Sequence, residues 1–183
     1  MDNLRIGIVG CGGIAFSHTL AMARLEGIRL AAVAEPKKEN RDRYLRFSTP
    51  DIEQRLAEDT AFGKAVEKAR RLTAGCASYG TYQRMLEHEP LDAVLILTPH
   101  TFHHKQILDA LDSGLHVLVE KPMVCTARHA KEVVTAARRS RKTVGIVYQR
   151  RAHPDFVYMK EAVESGTLGR IEHMLFVGIH PLP

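Results

Sequence analysis

The stretch Gly7-Ile-Val-Gly10-Cys11-Gly12-Gly13-Ile14-Ala15 lies between a branched apolar run, residues 4–10, and a helical pattern, residues 14–25. A strand that passes through clustered glycines straight into a helix opens a β-α-β unit. Only glycine tolerates the tight turn and the close backbone approach that such a joint needs. The rest of the chain repeats the alternation. Residues 28–34, 91–97, 116–119 and 144–148 read as strands, and 101–111, 126–138 and 154–165 as helices. Near-continuous apolar strands separated by helices predict an α/β fold with a doubly wound parallel sheet covered on both faces.

Residues 37–76 break this rhythm. Thr49-Pro50-Asp51 is a helix-start signal, and Ile52, Leu56, Phe62, Val66, Ala69 and Leu72 recur at near-helical spacing. One or two amphipathic helices are expected there, as an insertion on the surface. At 183 residues, with 45% hydrophobic and 26% charged residues, the chain has room for a core that needs no disulfides. Its three cysteines, Cys11, Cys76 and Cys125, are scattered, which suits a reducing cytoplasm. The N-terminus runs directly into a strand pattern, and no apolar run approaches a membrane span, so a cytoplasmic protein is expected. The net charge of +5 is spread over several helices. The densest basic run, Arg138-Arg139-Ser140-Arg141-Lys142, sits at a helix end, where cations complement the dipole. No nucleic-acid partner is expected.

The glycine cluster reads G-x-G-x-x-A from Gly10. Gly10 permits the turn, Gly12 lets backbone amides approach a diphosphate, and Ala15 keeps the helix close to the sheet. The helix N-terminus, with Gly13 and Ile14 in its first turn, presents unpaired amides to an anion. Glu35 follows Ala15 by twenty residues at the end of the second strand. A carboxylate there accepts the ribose hydroxyls of an adenosine and repels a 2′-phosphate, which points to NAD. Lys37, Lys38 and Arg43 lie close enough in sequence to leave NADP open.

Two further segments end at the same sheet edge. In Thr98-Pro99-His100-Thr101-Phe102-His103-His104, Pro99 stops a strand and a helix opens. The H-x-x-H-H spacing has no carboxylate or cysteine in the segment, and adjacent helical residues diverge, so no metal is expected. His100 and His103 read as lining a cofactor or substrate edge and His104 as solvated; three polar residues at a helix start is the plainer alternative. In Val117-Leu118-Val119-Glu120-Lys121-Pro122, the proline fixes the end of a buried strand and leaves a lysine at its last rung. Beside a nicotinamide ring that lysine would be partly desolvated and fitted for proton transfer. A solvated Glu120–Lys121 pair remains the other reading.

These stretches, together with Gly114-Leu-His-Val, Arg150-Arg-Ala-His-Pro154 and Ser165-Gly-Thr-Leu-Gly-Arg-Ile171, resemble the glucose–fructose oxidoreductase / inositol dehydrogenase / MocA family of NAD(P)-dependent sugar and polyol dehydrogenases. The resemblance implies a Rossmann domain over residues 1–150, with the 37–76 insertion, and the start of a second α+β domain over 151–183. It implies that Gly10, Gly12, Gly13, Ile14 and Ala15 hold the pyrophosphate and Glu35 the ribose. Thr98, Pro99, His100 and His103 would border the nicotinamide side, although the family usually carries Asn at the position of His100. Glu120 would contact the cofactor, and Lys121 would be catalytic, often before a cis proline. Arg150 or Arg151 would lie near the cofactor or the domain junction.

The family's second half carries substrate specificity and an Asp and a His that share the proton work. Here residues 170–179 read as the first strand of that sheet, and neither His173 nor His180 matches the missing histidine. An apolar strand there would be an exposed edge, so a homo-oligomer is expected. The implied function is hydride transfer between NAD(P) and an alcohol carbon of a sugar or polyol. A non-catalytic NAD(P)-binding regulator or sensor is the rival.

Overall fold

The computed structural model describes residues 3–175 and 177. Six strands form one parallel sheet: β1 (Leu4–Val9), β2 (Ile28–Ala34), β3 (Ala77–Tyr79), β4 (Ala93–Ile96), β5 (His116–Glu120) and β6 (Val144–Val147). The spatial order is β3-β2-β1-β4-β5-β6. Chain direction across the sheet therefore reverses between β1 and β4, and a crevice opens there at the carboxyl ends of the strands.

Alternation along the strands divides the core in two. Ile8, Leu30, Val33, Leu95 and Leu97 pack toward α1 (Gly13–Met22), α2 (Lys38–Leu45), α3 (Pro50–Glu58) and α4 (Thr60–Thr73). Val9, Ala34, Val94, Ile96, Val117 and Val119 pack toward α5 (Tyr82–His88), α6 (His100–Asp112) and α7 (Ala127–Ser140). This is the doubly wound sheet that the sequence predicts, with one departure. Leu118 in β5 is 43% exposed. The inserted helices pack over β1, β2 and β4, and within Met1–Val147 no helix of that layer reaches Leu118.

The insertion holds three helices where one or two were expected. Thr49 caps α3 by accepting the Ile52 amide at 3.2 Å, and Asp59 caps α4 by accepting the Phe62 amide at 2.9 Å. Phe16, Tyr44 and Phe47 form a buried aromatic cluster that fastens α2 to α1, with ring centroids 5.1–6.4 Å apart. β3 and α5, which follow the insertion, have no counterpart among the elements expected from the sequence.

The chain divides into two units, Met1–Val147 and Tyr148–Pro183. The second contains a 3₁₀ turn (Gln149–Ala152) and α8 (Pro154–Glu164). Residues 171–175 and 177 have no regular secondary structure, against the strand expected over 171–179. A strand needs a neighbour to complete its ladder, and among the described residues this segment has none. Phe176, Gly178, Ile179 and His180 lie outside the described residues.

Candidate active site

The carboxyl ends of β1, β2, β4 and β5 bring the expected residues to one edge. Gly10 follows β1 with φ at +96°, and its amide donates to the Ala34 carbonyl at 2.9 Å. A Cβ at Gly10 would stand 3.0 Å from the Leu97 carbonyl carbon, so the turn is closed to any side chain. Gly12 caps α1 with no side-chain hydrogen bond, and the first turn of that helix carries no acid. No atom lies within 4 Å of where a Cβ would stand on Gly12 or Gly13. The helix therefore offers bare amides and open space to an anion. Ala15 is fully buried against the sheet. Burial pushes the Cys11 thiol up to about 12, so this cysteine is inert packing rather than a nucleophile.

Glu35 holds the turn to the end of β2. One carboxylate oxygen accepts the Cys11 amide at 3.1 Å and the other accepts the Lys37 amide at 3.1 Å. Of the cations that left NADP open, Lys38 pairs with Asp42 at 2.6 Å and Arg43 donates to Asn40 at 3.2 Å. Arg41, which the sequence reading did not single out, donates to the Glu35 and Pro36 carbonyls. Beside Glu35 opens a cavity of about 450 Å³, walled by Val9, Ala34, Tyr82, Thr98, Pro99 and Phe102. Tyr82 and Phe102 are aromatic walls that no motif flagged.

The histidines behave differently from expectation. His103 does not line the edge. Its ring is fully buried, with Nε2 2.8 Å from the Thr98 carbonyl oxygen and Nδ1 3.0 Å from that of Pro122. It therefore brackets the loop after β4 to the loop after β5. Both loops bend away from their strands and leave carbonyls that need partners, and the ring meets that need. Thr98 donates to Gln106 at 2.5 Å. His100 is exposed and packs edge-on against His103, ring centroids 5.6 Å apart.

His104 is not solvated. It stacks on His129 of α7, centroids 3.9 Å apart, with Nε2 2.7 Å from a Glu132 oxygen. Ligating atoms of these three residues lie within 4.8 Å of one another. The rings are within 6° of parallel, however, so their nitrogen lone pairs run side by side and do not converge on one point. Arg128 also holds Glu132 at 3.2 Å. This is a poor cradle for a cation.

Glu120 is buried at the end of β5. Its Oε1 lies 2.8 Å from His18 Nε2, and its Oε2 accepts the Lys121 amide at 3.0 Å. The Lys121–Pro122 bond is cis. Lys121 itself is exposed, and among the described residues its ammonium has no hydrogen-bond or ion-pair partner. His18 went unnoticed in the sequence. Its only signal there is its i,i+4 spacing from Ile14, which puts it on the same face of α1.

The amides of α1, the open space before Gly12 and Gly13, the carboxylate of Glu35 and the adjoining largely apolar cavity together fit a dinucleotide. Among the described residues no helix is long and apolar enough to cross a membrane. A glycosyl hydrolase family 109 protein of Shewanella woodyi is 24% identical over 182 residues, covering 100% of this chain and 36% of that protein. Inositol 2-dehydrogenase 4 of Saccharopolyspora erythraea is 28% identical over 169 residues, 91% of this chain and 43% of that protein. A solved structure of scyllo-inositol dehydrogenase from Lactobacillus casei, with bound NAD(H) and scyllo-inositol, has the same fold. It superposes with a TM-score of 0.72 at 22% identity, covering 92% of this chain and 43% of that one. The chain thus spans well under half the length of these relatives. The model of the GFO_IDH_MocA oxidoreductase family, NAD-binding Rossmann fold, matches residues 4–148, and the chain belongs to that family.

Proposed function

We propose that this chain is the cofactor-binding part of an NAD-dependent oxidoreductase that works on an alcohol carbon of a sugar or polyol. The observation that carries the reading is the meeting of three features on one sheet edge: the bare N-terminus of α1, the carboxylate of Glu35 and the lysine that ends β5. The amides of Gly12, Gly13 and Ile14 hold the pyrophosphate. Glu35 accepts the adenosine ribose hydroxyls, and its charge disfavours a 2′-phosphate, so NAD is preferred over NADP. The cavity beside it, between Tyr82 and Phe102, receives the adenine. When the cofactor is bound, its nicotinamide ring would supply the hydride acceptor or donor. Lys121 takes the proton from the substrate hydroxyl during oxidation and returns it during reduction.

The relatives' names support a sugar or inositol ring as the substrate class. A second reading follows from the glycosyl hydrolase name, which belongs to a relative covering the whole chain: the substrate is a glycoside, and the net outcome is cleavage of its glycosidic bond. Two measurements separate the readings. Calorimetric titration of the chain with NAD and with NADP should show saturable binding that favours NAD. NADH absorbance with scyllo-inositol or myo-inositol, and release of the chromophore from an aryl glycoside, then report which reaction runs. Lys121→Ala should keep NAD affinity and remove turnover from the complete assembly. Turnover of neither class of substrate by the complete assembly would favour the sensor role, and a wild-type chain that binds no dinucleotide would overturn the proposal.

A further inference from the structure

Both oxygens of Glu120 are engaged. His18 Nε2 lies 2.8 Å from one, and the Lys121 amide donates to the other at 3.0 Å. The pair is shielded, with side-chain exposures of 17% for His18 and 11% for Glu120. A hydrogen bond kept from water in this way is stronger than an exposed one, and the carboxylate it holds cannot swing freely. His18 stands on α1, five residues after Gly13. One end of that helix faces the glycine turn, and its side touches the end of β5.

Resting on the reading that Lys121 moves the substrate proton, we propose that His18 is a positioning residue for Lys121. Its ring fixes the Glu120 carboxylate, which in turn fixes the Lys121 backbone amide and so the origin of the lysine side chain. The relay also ties the lysine to the helix whose first turn faces the pyrophosphate. Cofactor and lysine then share one rigid support, and placement errors of about 1 Å between reacting groups are costly, on the order of a hundredfold in rate. Glu120 accordingly serves as the middle of the relay rather than as a cofactor contact.

The test is amide hydrogen exchange at Lys121, followed by NMR on the ¹⁵N-labelled full chain. A hydrogen bond to a charged acceptor is worth enough that His18→Ala should speed exchange of this amide about tenfold. His18→Gln carries a side-chain N–H to nearly the position of Nε2 and should restore most of the protection. That rescue separates a positioning role from a merely structural one. In a Glu120→Ala background, His18→Ala should add nothing further at this amide. Unchanged exchange in His18→Ala, equal loss in His18→Ala and His18→Gln, or an additive effect in the double variant would each overturn the relay. NAD titration of the same samples tells the two failures apart. Binding without the exchange effect removes only the relay, whereas no binding by the wild type removes the parent reading and the relay with it.

Discussion

At the scale of single residues, the edge is built by groups whose backbone or charge leaves no alternative. Gly10 has a positive φ and a Leu97 backbone atom 3.0 Å from where a Cβ would stand. Gly10→Ala should therefore cost about 1–3 kcal/mol, read as a lowered urea midpoint, and should weaken NAD binding. Asp92 gives a pH-dependent case. Its carboxylate accepts the Arg5 amide at 2.8 Å and two guanidinium bonds at 2.8 and 3.0 Å, clamping the loop before β4 to β1. The side-chain hydrogen bond from Arg5 is the main cause that lowers Asp92 from 3.8 to about 2. A carboxylate depressed on folding stabilises the chain above its unfolded value, and that contribution fades as pH falls from about 4 toward 2. Asp92→Asn should flatten the acid limb of a stability–pH curve while lowering stability at neutral pH. The pair is over a third exposed on the Arg5 side, which keeps the effect small. Sequence alone identified the residue types at the edge but not their partners. His103 and His104 are neighbours in the chain, yet one ring is taken up by two carbonyls and the other lies against α7. Those destinations are set by Pro122 and His129, which no local pattern reaches.

At the scale of elements, what was legible followed length and period. β1, β2, α6 and α7 have four or more residues in a clear apolar rhythm, and each appears within a few residues of its expected place. β3 has three residues and α5 seven, too short to show a period against the background. The sequence of the insertion points to one or two helices because Asp59 alone separates α3 from α4, ending one and capping the next. The apolar spacing runs through it almost unbroken. Tertiary packing settles how firmly this layer is held. Tyr44 is fully buried, packs against Phe16 and Phe47, and hydrogen-bonds through its hydroxyl to Thr19. Removing so large a buried ring leaves a cavity, so Tyr44→Ala should cost about 3–5 kcal/mol. Tyr44→Phe keeps the ring and loses one hydrogen bond, about 1 kcal/mol. Thr19 still donates to the Ala15 carbonyl at 2.8 Å, which limits that smaller loss. Chemical denaturation of both variants checks the ratio. Near-equal small losses would mean that the inserted helices are loosely attached.

At the scale of the whole molecule, the two units differ in kind. Met1–Val147 has a two-sided core, whereas no described residue of Tyr148–Pro183 is buried. The second unit leaves Tyr158 72%, Leu168 60%, Met174 68%, Leu175 88% and Val177 68% exposed. Scattered apolar residues on a surface need no cover, but several large ones within some twenty residues leave apolar area that water disfavours. Hydrophobic association removes such area from water whatever covers it, and in a purified sample the available partner is another copy of the chain. Sedimentation velocity should therefore show a sedimentation coefficient that rises with concentration. Replacing Met174 and Leu175 together by Glu and Asp should flatten the rise, since like charges on two facing copies repel and an unpaired carboxylate resists burial. Because these residues lie outside the cofactor-binding unit, the double variant should keep NAD affinity unchanged. If the unaltered chain sediments as a monomer at every concentration, these exposed residues do not drive association; if the double variant associates as strongly as the unaltered chain, association runs through another surface, the half-exposed Leu118 of β5 being the next to test.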